Sequence, residues 1–293
     1  MWQRVDCVNC VIVREIFSST NTNNVDNDCL KAHTYYTGTR SNPRQNLLVN
    51  FSIDTTRRLF DACGLMLNAT RKPLLLGHRG ARRAAPENTL AAFELALAHG
   101  CDGFEFDIRP TADGVPVVCH DPEVANLAVD RCSFGQLTAR CPDLPDLNEV
   151  LARFASRAYL YIELKVTGLE DLVLAALSRH PPQHGYVVAS FLPEAITSVH
   201  ERDGSIPLGL ISSRSDHLSL WRSLPIAIVM PQYPLVSPQL LREVHEAGKQ
   251  MFVWTVNEAE PMRALAAAGI DGILADDTEL LGNVLGSLKA DER

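Results

Sequence analysis

From Pro73 onward the chain alternates short, nearly unbroken apolar runs with longer stretches whose apolar residues recur at helical spacing. Runs of the first kind occupy 73–78, 103–109, 115–119, 159–165, 185–191, 206–211, 226–230, 250–256 and 272–275. Stretches of the second kind fall near 88–99, 146–155, 169–180, 193–202, 217–223, 237–247, 258–268 and 278–288. Strands read as continuous apolar segments where both faces are covered, as in a parallel sheet wrapped by helices. The punctuation agrees. Ser237-Pro238 and Asn257-Glu258-Ala259-Glu260-Pro261 read as helix starts, and Gly100, Gly248 and Gly269 as helix stops. The alternation predicts an α/β chain folded as a (β/α)8 TIM barrel.

Nine apolar runs are one more than such a barrel needs. Thr111-Ala112-Asp113-Gly114 is too short to hold a crossover helix, so the second and third runs are expected to form a β-hairpin at the root of a short cap insertion. With Asp113-Gly114 as a two-residue turn, Ala112 faces Val115 and Asp107 faces His120 on one side of the hairpin. A slip of one residue undoes that pairing.

Ahead of Pro73 the periodicity is lost. Residues 1–70 hold nine asparagines and the remaining 223 residues hold five, and Ser18–Asn24 is polar low complexity. A segment of this kind buries too little apolar surface to offset its ordering entropy. We therefore expect a disordered N-terminal extension over 1–70, with one short amphipathic helix around 55–68, followed by a barrel domain over 71–293. Met66 stands just before the first convincing strand and is a candidate alternative start.

Bulk composition narrows the function more than the fold. At 46% hydrophobic and 21% charged the chain suits a globular protein with a large core. No apolar run approaches the roughly 20 residues of a membrane-spanning helix. Arg14 and Glu15 interrupt the only stretch resembling a leader, so no secretory signal is read and a cytoplasmic location is expected. A net charge of -8 argues against a nucleic-acid partner. A phosphate ligand would have to be held by a local metal, lysine or arginine. Cys7-Val8-Asn9-Cys10 has metal or redox spacing without an answering pair, and the other cysteines read as small apolar residues. The pattern specifies no oligomeric state.

Several chemically active side chains end apolar runs, which places them at the rim of a barrel. Glu105 and Asp107, two apart on one strand, point the same way, and Glu163 ends another strand with the same polarity. Three carboxylates make an all-oxygen site suited to Mg²⁺ or Ca²⁺ more than to zinc. His78 and His120 suit an acid-base pair at neutral pH. Lys165 shares a face with Glu163, and Arg79 adjoins His78; both offer positive charge to a phosphate. Trp254 ends a late strand, as part of the core or as a wall for the carbon skeleton of a substrate. Asn88 reads as the N-cap of the first barrel helix and Glu87 as a favourable charge beside its N-terminus, with orientation of a neighbouring site group as the second reading of Glu87.

In order and spacing, His78-Arg79-Gly80, Pro86-Glu87-Asn88-Thr89, Glu105-x-Asp107, His120-Asp121, Glu163-Leu164-Lys165, Val253–Asn257 and Gly269–Asp276 resemble the glycerophosphodiester phosphodiesterase family. The resemblance spans about residues 73–285. It implies a (β/α)8 barrel that uses a divalent metal to hydrolyse glycerophosphodiesters to glycerol 3-phosphate and an alcohol. By matching position, it makes His78 and His120 the acid-base pair. Glu105, Asp107 and Glu163 become the metal ligands, and Arg79 and Lys165 the phosphate-binding cations. The chain departs from the family where Pro122 to Ser133 replaces the usual Arg-Thr-Thr element and long cap, which opens the alcohol side of the site. Two other readings compete. One is a phospholipase D-like activity on lysophospholipids in the same barrel. The other is a non-catalytic phosphate-binding barrel, which retention of both histidines and all three carboxylates disfavours.

Overall fold

The computed structural model describes residues 72–286. The expected extension over 1–70, the helix around 55–68, Met66, Cys7 and Cys10 lie outside the described residues. Eleven strands appear in chain order: β1 (Leu74–Gly77), β2 (Gly103–Pro110), β3 (Pro116–Val118), β4 (Glu123–Val124), β5 (Leu127–Ala128), β6 (Tyr159–Leu164), β7 (Tyr186–Ser190), β8 (Leu208–Ser212), β9 (Ile228–Pro231), β10 (Gln250–Val253) and β11 (Gly272–Ala275). Eight of them, β1, β2 and β6 to β11, pair in parallel around a ring that closes where β1 meets both β2 and β11. Helices join successive barrel strands, among them Leu90–Ala98, Leu147–Phe154, Glu170–Arg179 and Pro193–Arg202. The expected TIM barrel is the observed fold, and closure leaves its sheet without a free edge.

The surplus run behaves as a hairpin, since β3 pairs antiparallel with the end of β2. Its register differs from expectation by one residue. Ile108 faces Val118 and Arg109 faces Val117, and the Cys119 amide donates to the Asp107 carbonyl at 3.0 Å. Asp107 therefore faces Cys119, not His120. The turn holds three residues instead of two: the Thr111 amide donates to Val115, and Gly114 takes the left-handed conformation with φ 76°. The Thr111 hydroxyl accepts from the Val115 amide and donates to Asp113, which stabilises this longer turn. Beyond β3 the cap adds the β4–β5 ribbon and a capped helix, Phe134–Thr138, neither anticipated from the apolar pattern.

Two cores hold the barrel. Inside it, Leu76, Tyr161, Val187, Ala189, Ile211, Ile228, Met230, Phe252 and Leu274 fill the lumen. Gly272 is the bare position that admits Phe252, since a Cβ there would lie 2.7 Å from the Phe252 ring. Around it, the outward residues of the strands pack beneath the helices. Phe93 stacks on Phe104 with centroids 4.1 Å apart, and Phe154 meets both rings edge-on. Aromatic pairs of this kind add about 0.5–1.5 kcal/mol beyond area burial. They fix β2, which carries Glu105 and Asp107 on its other face.

Candidate active site

Strand alternation explains why the polar groups meet. Residues i and i+2 share a face, so continuing each lumen row by one step reaches the mouth. Leu76 leads to His78, Tyr161 to Glu163 and Lys165, Ala189 to Phe191, Phe252 to Trp254, and Leu274 to Asp276. On β2 the same row is Gly103, Glu105 and Asp107. Parallel register sets Glu105 beside Tyr161 and Asp107 beside Glu163.

Glu105, Asp107 and Glu163 are almost wholly buried, and one oxygen from each lies within 4.8 Å of the others. Glu105 Oε2 accepts the Arg79 amide at 2.8 Å, but Glu105 Oε1 has no hydrogen-bond partner. Asp107 Oδ1 also lacks a hydrogen bond, with Lys165 Nζ 3.2 Å away. Burial, then the Asp107 and Glu163 charges, pushes the Glu105 carboxyl well above the usual carboxylate range. Burial and the Asp107 charge push Glu163 to about 7 against the pull of Lys165. Asp107 moves the other way: burial alone would raise it, but Lys165, Arg79 and the Asn88 amide together lower it. Unsatisfied buried oxygens converging on one point cost several kcal/mol unless a cation gathers them. The donor set is all oxygen, and it fits a hard divalent ion.

The flanking cations are in place. Arg79 Nε lies 3.3 Å from Asp107 and its Nη1 2.9 Å from Glu87, while Lys165 Nζ bridges Asp107 and Glu163. Formally the five groups carry one net negative charge. A divalent cation and a phosphodiester monoanion would together bring that to neutrality.

Each histidine is anchored on Nδ1 by a carboxylate, which leaves Nε2 free. His78 Nδ1 is 2.7 Å from Asp276, and its Nε2 is 3.9 Å from Glu105. His120 Nδ1 is 2.8 Å from Asp121. Burial lowers the His120 ring below the ordinary histidine range. The hairpin pairing does not aim His120. The chain leaves the ladder after Cys119, and Arg109 Nε holds the His120 carbonyl at 2.8 Å. His120 and Asp121 border a cleft of about 480 Å³ between the start of helix Leu90–Ala98 and the cap, with Glu123, Val124, Arg140 and Leu144 among its walls. Trp254 lies half-buried at the mouth, its ring edge-on to Phe191 and its Nε1 donating to the Met230 carbonyl.

Two residues read from sequence as helix caps, Asn88 and Asn257, do otherwise. Thr89, not Asn88, caps the first barrel helix. Asn88 is buried with φ 58°, its Nδ2 donating to Asp107 at 2.9 Å and its Oδ1 accepting the Asp107 amide. Glu87 pairs with Arg79 and Arg82, so it orients a cation of the site. Asn257 likewise is not a cap. Glu258 occupies that position, while Asn257 binds Asp276. Asp276 received no role from sequence, although the strand-end rule that found Glu163 applies to it equally.

Residues 78–280 match the model of the glycerophosphoryl diester phosphodiesterase family. A glycerophosphodiester phosphodiesterase of Caldanaerobacter subterraneus subsp. tengcongensis is 28% identical over 243 residues, covering 73% of this chain and 98% of the relative. Among solved structures, a putative glycerophosphoryl diester phosphodiesterase of Silicibacter pomeroyi superposes with a TM-score of 0.67 at 27% identity, covering 75% of this chain and 95% of that one. A phosphodiesterase of Oleispira antarctica, solved with the product sn-glycerol-3-phosphate, shares the fold with a TM-score of 0.64 at 24% identity, over 73% of this chain and 97% of its own. Matched over more than half its length, with a carboxylate triad and two anchored imidazoles at the mouth of the expected barrel, the chain belongs to the glycerophosphoryl diester phosphodiesterase family.

Proposed function

We propose that the barrel mouth hydrolyses glycerophosphodiesters to glycerol 3-phosphate and an alcohol, with a divalent cation, Mg²⁺ or Ca²⁺, held by Glu105, Asp107 and Glu163. The observation that carries this reading is the convergence of three buried carboxylates, two of which, Glu105 and Asp107, each keep an oxygen without a hydrogen bond. When bound, the cation polarises phosphoryl oxygens and offsets negative charge that builds in the transition state. Arg79 and Lys165 supply further positive charge to the same phosphate, and their existing contacts with Asp107 and Glu163 hold them beside it. His120, kept neutral by burial, accepts the proton of the attacking hydroxyl or water. His78 supplies a proton to the departing alcohol. Trp254 and Phe191 wall the carbon skeleton of the substrate. The Oleispira antarctica relative, of the same fold, holds sn-glycerol-3-phosphate, the product this reading requires.

The test is a panel of glycerophosphocholine, glycerophosphoethanolamine and a lysophospholipid, each with EDTA, Mg²⁺ or Ca²⁺. Release of glycerol 3-phosphate from the first two, abolished by EDTA and restored by one cation, is expected. His78→Ala and His120→Ala should each lower kcat by about 10²–10⁴-fold. Turnover that survives full chelation refutes the metal assignment.

A further inference from the structure

We propose that Asn257 and Asp276 together set the tautomer of His78, with Asn257 as the group that gives the setting its direction. The inference rests on the proton-transfer role of His78 proposed above. Asp276 stands two residues beyond Leu274, in the lumen row of β11, and its Oδ1 lies 2.7 Å from His78 Nδ1. Arg82 Nε approaches the same oxygen at 3.7 Å. The other oxygen, Oδ2, accepts the Asn257 side-chain amide at 2.8 Å.

An asparagine side chain can normally present either end to a neighbour. Here it cannot. Asn257 Oδ1 accepts the backbone amide of Asp276 at 2.8 Å and that of Asp277 at 3.3 Å. Two donors fix the oxygen, so the NH₂ group must face Asp276. Asp276 then meets donors on both sides: the Asn257 amide on Oδ2 and the His78 Nδ1 proton on Oδ1. The His78 ring is thereby kept with Nδ1 protonated and Nε2, the nitrogen turned toward the carboxylate triad, available for proton exchange. Asp276 and Asn257 are positioning residues. Asp276 touches the histidine, and Asn257 acts on it through Asp276.

The arrangement makes an uncommon prediction about an isosteric change. In Asp276→Asn the introduced amide has one oxygen and one NH₂. The locked Asn257 NH₂ requires the oxygen on its side, so the introduced NH₂ must face His78 Nδ1. The ring must answer as an acceptor there and carry its single proton on Nε2, so the doubly protonated ring that lets Nε2 give up a proton is lost, and Nε2 cannot take up a proton as a base. A loss in kcat of about 10³-fold or more, with KM little changed, is expected. Adding Asn257→Asp reverses the polarity of the pair. The introduced carboxylate at 257 still accepts both backbone amides and now also accepts the NH₂ at 276, which returns an oxygen to His78.

The double variant Asn257→Asp/Asp276→Asn should therefore recover kcat by about tenfold or more over Asp276→Asn alone. Nitrogen-15 NMR of the His78 ring reads the tautomer without any turnover. Protonation on Nδ1 in the wild type, on Nε2 in Asp276→Asn and again on Nδ1 in the double variant is the expected series. An unchanged ring tautomer in Asp276→Asn, or wild-type kcat in that variant, overturns the proposal. Full activity in His78→Ala would instead remove the catalytic reading, and the NMR series would still decide the tautomer question.

Discussion

At the scale of single residues, the site depends on side chains that hold its carboxylates in place. Asn88 is the clearest case, since it supplies both a donor to the Asp107 carboxylate and an acceptor for the Asp107 amide from a left-handed backbone. Asparagine tolerates that conformation better than most residues. Asn88→Ala should lower stability by about 3 kcal/mol, combining a lost hydrogen bond to a charged group with the cost of placing alanine at φ 58°. Asn88→Gly removes the same side chain without the backbone cost and should be the milder change. Chemical denaturation of the two variants separates the terms. Equal losses would mean the backbone contributes nothing. The side chain was visible in the sequence, but its role was not: Pro86-Glu87-Asn88-Thr89 before an apolar helix satisfies a local capping rule, and only tertiary contact shows Asp107 as the partner.

At the scale of elements, β2 and β6 form the unit that matters. Their outward residues lock into the annular core, while their inward carboxylates oppose one another. This strand pattern was legible because alternation and apolar continuity are local properties. The hairpin register was not, because a threonine side chain in the turn, Thr111, selects the three-residue loop. Opposed carboxylates have a consequence for stability. Glu163 is raised from 4.5 to about 7 by burial and by Asp107, and Glu105 is raised well above 4.5 for the same reasons with Glu163 added. A group whose pKa is raised on folding stabilises most below its unfolded value and loses that contribution as pH rises through the folded value. Without a cation, the protein should lose stability between about pH 4.5 and 7. Asp107, lowered on folding, acts in the opposite sense, but only at more acid pH. A bound Mg²⁺ or Ca²⁺ replaces the protons, so its affinity should rise with pH and its stabilisation should grow across the same interval. Melting temperatures recorded from pH 4.5 to 8 with EDTA and with cation test this. Curves that stay parallel would remove the three carboxylates as a cation site.

At the scale of the whole molecule, the closed ring of eight strands, its helical jacket and every proposed site residue lie within residues 72–286. Among those residues no helix is long and apolar enough to cross a membrane. Closure has a mechanical implication. Each barrel strand is paired on both sides, and β1, which carries His78 to the mouth, is held by β2 and β11. The shift in composition near residue 70 falls at the same boundary. A variant beginning at Met66 should therefore keep the kcat/KM and melting temperature of the full chain, measured side by side in the same cation. The cation dependence should be unaltered as well, because Glu105, Asp107 and Glu163 all belong to strands inside the ring. A marked loss of activity with an unchanged melting temperature would show that residues before Met66 act on the catalytic mouth. A fall in both would place them in the folding unit and overturn the boundary at residue 71.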